Sequence, residues 1–136
     1  MDNVEQIAAN LGFPVVILPD AAAGSVESAI RFLVECLIER GFLQVESADE
    51  AVNKILKREM LGSTAVGEGA ALPHSGISGV DRLIGIFAHC ASPVPWESPD
   101  GQKVRSICLL LAPIKRPALY LRALNQVVPA IRRMAG

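Results

Sequence analysis

The chain has 136 residues, 51% of them hydrophobic but only 4% aromatic, so a single domain must build its core from Ala, Val, Ile and Leu. A formal net charge of −1, without long runs of like charge, argues against nucleic acid or an anionic membrane as partner. The start has no basic segment leading into an apolar one, and no apolar run approaches the roughly 20 residues of a membrane span; a soluble, cytoplasmic protein without direct membrane insertion is expected.

In chain order, Phe13 to Leu18 is a short β-branched run that reads as a strand, with Pro14 at its start or on a sheet edge. After a turn over Asp20 to Gly24, the residues Val26, Ile30, Leu33, Val34, Leu37 and Ile38 follow helical spacing, with Ser25 as N-cap and Arg40-Gly41 as stop. A second helix opens on Ser47 and Glu50 as a capping box, buries Ala51, Val52, Ile55 and Leu56, and ends at Gly62. Arg58 then lies near its C-terminal end. Leu83 to Ala88 and Val104 to Ala112 read as buried strands, joined by a proline-rich loop from Ser92 to Lys103 whose Trp96 either anchors it on the core or contributes to a partner surface. Pro117 suits a first helical turn, followed by an apolar stripe of Tyr120, Leu121, Leu124, Val127 and Val128, with Pro129 kinking or ending that helix. Alternating strands and helices make the class α/β. Cys36, Cys90 and Cys108 have no paired spacing, and two of them sit in apolar stretches, as reduced core thiols do.

Residues 62 to 74 read Gly-Ser-Thr-Ala-Val-Gly-Glu-Gly-Ala-Ala-Leu-Pro-His, preceded by Arg58-Glu59. Arg58 supplies fixed positive charge, and the glycines let a loop turn N–H groups toward anionic oxygens. His74, one of two histidines, is a nucleophile whose ordinary pKa lies near neutrality. The run lacks the third glycine of a dinucleotide fingerprint and the Gly-Lys-Ser/Thr of a phosphate-binding Walker loop. His74, His89 and Cys90 have no metal-ligand spacing. Arg58 also reads as a solvated arginine complementing a helix dipole, and His89 as a strand-end histidine.

Arg58-Glu59, Ser63-Thr64 and Gly67 through His74 together resemble the active-site segment of the type 2 enzyme IIA domains of the bacterial phosphoenolpyruvate-dependent phosphotransferase system, the fructose, mannitol and nitrogen-regulatory branch. Val94-Pro95-Trp96, Asp100-Gly101 with Val104, and the run Ile107 to Ala112 before Pro113 continue the resemblance. It extends roughly from the helix starting near Val26 to the helix carrying Tyr120. It implies one domain over residues 1 to 136, a sandwich with a central mixed β-sheet and helices on both faces, lacking some C-terminal helix.

The implied function is a phosphohistidine carrier. His74 would accept the phosphoryl group from an HPr-like donor and pass it to a IIB-type domain or to a regulated target. Arg58 would offset the phosphate charge, while Ser63, Thr64, Gly67 and Gly69 would position it; no metal or cofactor is needed. Family members usually carry a second histidine in a His-Leu-x-x-Leu pattern, and here Tyr120-Leu121-Arg122-Ala123-Leu124 stands in its place. A phenol donates a hydrogen bond but cannot become cationic. The alternative is therefore a phosphorylation-impaired regulatory module of the same fold. A lone IIA chain is more typical of the nitrogen-regulatory branch than of sugar transport.

Overall fold

A computed structural model describes residues 4–116 and 118–135, without the side chains of Tyr120 and Ala135. The described residues form four helices, α1 (Val4–Leu11), α2 (Val26–Glu39), α3 (Ala48–Leu61) and α4 (Ala118–Ala135). The strands are β1 (Val15–Leu18), β2 (Ala65–Gly67), β3 (Ala70–Ala71), β4 (His74–Ile77), β5 (Ile84–Val94) and β6 (Val104–Pro113).

The strands make one mixed sheet in the order β1-β5-β6-β3-β2, with β4 also on β6. β5 and β6 are its antiparallel centre. On the far side of β6, β3 and β4 follow one another along the same edge, both parallel to it. They are separated by Leu72-Pro73, and the Pro73 carbonyl accepts from the Leu110 N–H at 2.9 Å.

Alternation along the central strands sends side chains to two cores, since successive residues of a strand face opposite ways. Ile84, Ile86, Ile107, Leu109 and Leu111 pack with the apolar stripes of α2 and α3. Phe87, Cys108 and Leu110 pack on the other face with Phe13, with Ile7 and Ala8 of α1, and with Ala123, Val127 and Ile131 of α4. Each Leu or Ile removed from water here contributes ~1.5–3 kcal/mol. Helices thus cover both faces of a mixed α/β sheet, as expected.

Other expectations are met in part. Ser25 caps α2 and accepts from the Ser28 N–H at 3.0 Å, and Gly41 ends the helix with φ +81°. Trp96 is buried, anchoring its loop. The capping box at Ser47 and Glu50 does not form. A 3-10 turn, Val45–Ser47, runs directly into α3, so Ser47 has helical backbone angles (φ −91°, ψ −3°) and its side chain cannot reach back over the helix end. The Glu50 carboxylate goes instead to Ser78, just past β4, accepting from its N–H at 3.1 Å and its hydroxyl at 2.8 Å.

β5 continues through Ser92 to Val94, so the proline-rich loop begins later than its composition suggests. α4 runs through Pro129. The carbonyl of Asn125, which loses its helical donor there, lies on an exposed part of the helix where water can replace it. Its buried face is Ala123, Val127, Ala130 and Ile131, while Leu121 of the expected stripe is 57% exposed. Small alanines let the helix approach the sheet more closely than a leucine stripe would. The expected role of Pro117 lies outside the described residues.

Candidate functional site

His74 opens β4, directly after Pro73, and is partly buried. Its Nδ1 lies 2.7 Å from the Leu72 carbonyl oxygen. A carbonyl only accepts, so this contact selects the tautomer with a proton on Nδ1 and the lone pair on Nε2. Leu72 is held in turn, its N–H donating to the Thr64 carbonyl at 3.0 Å.

Thr64 is fixed by Glu59. The Glu59 carboxylate accepts from the Thr64 N–H at 3.2 Å and from the Thr64 hydroxyl, and its Oε2 also accepts from the Trp96 indole N–H at 3.1 Å. One carboxylate thereby ties the end of α3 to the residue just before β2 and to the loop after β5. Sequence reasoning noted Glu59 only as part of a motif and gave it no role. The available signal was a carboxylate beside an invading Ser-Thr pair, but its second partner, Trp96, is 37 residues away and no local pattern shows it. Ser63 is fixed too, its hydroxyl donating to the Glu97 carbonyl and accepting from the Ala65 N–H.

Arg58 Nη1 donates to the Gly62 carbonyl at 2.8 Å, capping the last turn of α3. Two lengths show where that end of α3 lies relative to His74. From Glu50, tied to Ser78, up the helix to Arg58 is ~12 Å. From Ser78 back along the strand to His74 is ~13 Å. α3 packs against β4, so Arg58 comes level with His74.

Tyr120 approaches from the other face. His74 is the register partner of Leu110, so the two share the face covered by α1 and α4. The Ser106 hydroxyl donates to the Ile131 carbonyl at 2.5 Å, which pins the far end of α4. Eleven residues back along the helix, ~16 Å, stands Tyr120; its side chain lies outside the described residues. Four residues along β6 from Ser106, ~13 Å, stands Leu110 beside His74. Arg58, His74 and Tyr120 therefore gather at one end of the sheet.

Gly67 and Gly69 do not join them. They flank Glu68 in the β2–β3 turn, all three with positive φ (+84°, +56° and +79°). β3 pairs with β6 at Ser106, so this turn lies ~13 Å or more from His74. The Glu68 N–H donates to Asp100 Oδ2 at 2.8 Å, and the Gly69 carbonyl accepts from the Arg105 and Ser106 N–H groups. These contacts give the glycines a turn-forming part in place of the phosphate-positioning one expected. His89 is exposed on β5, opposite Ile17 of β1 and away from the site.

The family model for the "Phosphoenolpyruvate-dependent sugar phosphotransferase system, EIIA 2" matches residues 14–133. The chain belongs to this family. Among type 2 EIIA relatives, a nitrogen regulatory protein of Bradyrhizobium diazoefficiens is 35% identical over 119 residues, 88% of this chain and 76% of that protein. The PTS system 2-O-alpha-mannosyl-D-glycerate-specific EIIABC component of Escherichia coli is 34% identical over 88 residues, 65% of this chain but 13% of that much longer protein. The crystal structure of nitrogen regulatory protein IIA-Ntr from Neisseria meningitidis superposes with a TM-score of 0.70 at 29% identity, covering 85% of this chain and 75% of that one. The EIIA family thus includes nitrogen-regulatory and sugar-transport relatives of this chain, and its match begins before α2, earlier than the motif residues alone indicate. No helix among the described residues is long and apolar enough to cross a membrane.

Proposed function

We propose that this EIIA chain is a phosphohistidine carrier, with His74 as phosphoryl acceptor. The observation that carries the reading is the Nδ1 contact with Leu72 O at the end of the family's Pro-His segment. In that tautomer Nε2 attacks the phosphorus of a phosphohistidine donor. An N–P bond forms at His74 as the donor's N–P bond breaks, and the proton stays on Nδ1, donated to the Leu72 carbonyl. The reverse displacement by a thiolate or imidazole of a IIB-type domain, or of a regulated target, removes the phosphoryl group.

Such a transfer needs positioning and neutralisation of charge more than covalent work by the protein. Arg58, level with His74, supplies the positive charge on release of its Gly62 contact. Ser63 and Thr64 hold the segment, and the Tyr120 phenol donates to the phosphate where relatives use a second histidine. The donor in this reading is HPr-like. The nitrogen-regulatory branch is favoured by the relative that matches 88% of the chain.

Intact-mass analysis after incubation with phosphoenolpyruvate, enzyme I and HPr tests this reading. One phosphate is expected on the wild type and none on His74→Ala. A folded wild-type chain that stays unmodified beside a charged control EIIA overturns it.

Tyr120 favours a second reading, a regulatory module that binds its partner without efficient transfer. That reading requires partner binding to persist in His74→Ala; loss of binding in the folded variant contradicts it.

A further inference from the structure

At the end of β6 remote from His74, a cavity of about 720 Å3 opens between the β2–β3 turn, the start of β6 and α4. Lys103, Arg105 and Arg132 line it, with Glu68 as the acidic residue among the lining groups. Among the lining groups three cations face one carboxylate, in a chain whose net charge is −1.

Arg132 is already oriented. Its Nη2 donates to the Val66 carbonyl at 2.6 Å and its Nε lies 3.7 Å from Glu68 Oε2. Among the described residues, the side chains of Lys103 and Arg105 make no hydrogen bond or ion pair. The Arg105 backbone is nevertheless fixed, its N–H donating to the Gly69 carbonyl at 2.7 Å. Three positive groups held around one concavity repel one another, and Glu68 offsets only part of that repulsion.

We propose that this cavity binds a small soluble phosphate compound carrying two or more adjacent phosphates. Two uncompensated cations beside a pre-oriented arginine match a ligand with more than one negative charge. Arginine forks match the oxygen spacing of phosphate and bind it through paired N–H groups. The volume falls in the range of small-molecule sites. This site is distinct from the phosphoryl-transfer site, since ~13 Å of β6 separates them. The two are joined by the β2–β3 hairpin, whose turn lines the cavity while Thr64 and Leu72 at its base hold His74.

Titration calorimetry with inorganic pyrophosphate tests the proposal on the wild type and three variants. Wild-type binding is expected, and the Lys103→Gln, Arg105→Gln double variant should weaken it by at least about tenfold. Glu68→Gln, which removes the competing carboxylate, should tighten it, and His74→Ala should leave it unchanged. Absence of wild-type binding overturns the proposal, as does equal affinity in a double variant that circular dichroism shows to be folded. Loss of binding in His74→Ala also overturns it, by placing the anion at the transfer site. If the double variant does not fold, an affinity that Glu68→Gln fails to raise decides against the cavity.

Discussion

Glu59 accepts from two groups of Thr64 and from the Trp96 indole, so removing its carboxylate leaves three donors without their acceptor. Glu59→Ala should cost ~1–3 kcal/mol, read as a lower urea midpoint, with Trp96 emission shifted to the red in the native state. Glu59→Gln keeps one acceptor oxygen and should cost less. Unchanged stability and emission in the alanine variant would mean that the carboxylate holds nothing. Arg58→Ala should slow phosphorylation of His74 by about tenfold to a hundredfold, the scale of one charge-assisted hydrogen bond in the transition state. Tyr120→His should raise that rate, and no change would mean that position 120 does not meet the phosphate. At this scale His74 and Arg58 were legible as candidates, because the Pro-His segment and its upstream arginine carry chemistry in local sequence. Glu59 was not, because its function depends on a tryptophan brought in from another loop. Gly67 and Gly69 misled, because a glycine-rich run looks alike whether it cradles an anion or turns a hairpin.

Between elements, the Glu50–Ser78 contact sets how far α3 slides along β4, and so where Arg58 stands. Hydrogen bonds from the Ser78 hydroxyl and N–H hold the Glu50 carboxyl below its ordinary range. A depressed carboxylate stabilises the fold above the unfolded pKa, and that contribution is lost as pH falls through the folded value. The stability gap between wild type and Glu50→Gln should therefore be full near neutrality and close on acidification below about pH 4, followed by thermal melts. A gap that widens on acidification contradicts the contact. Gly85 tests the α1 face. A Cβ built there would lie 2.5 Å from the Phe13 ring, so Gly85→Ala should destabilise by about 1–3 kcal/mol through overpacking. The elements themselves were legible where periodicity was strong, as in α2 and β6. The Ser47–Glu50 pattern failed because a preceding 3-10 turn decides whether a serine can cap. Leu124, Val127 and Val128 of the expected α4 stripe pack on the core, while Leu121 faces outward and alanines, which carry less hydropathy, complete the buried face.

For the whole molecule, two apolar layers sandwich one sheet, and the cysteines follow that plan. Burial pushes the Cys90 thiol up to about 12 and raises Cys108 well above its ordinary value, while Cys36 is raised chiefly by burial with help from Glu39. A thiolate-directed reagent near neutrality should therefore label the native protein slowly, and all three thiols rapidly after denaturation. Fast labelling of the native chain would show that the layers open. The α/β class was readable from alternating elements, and helices on both faces from the family resemblance. Strand order was not readable: β3 and β4 follow one another along one edge of β6, divided at Leu72-Pro73, a pairing no local pattern encodes.

In the proposed transfer, Leu72 O fixes the His74 tautomer so that Nε2 takes the phosphoryl group. Nitrogen-resolved NMR of the ring-labelled, phosphorylated protein tests it most directly. Phosphorus coupling to Nε2 of His74 is expected, with the proton retained on Nδ1. Phosphate on Nδ1, or on a residue other than His74, would contradict it.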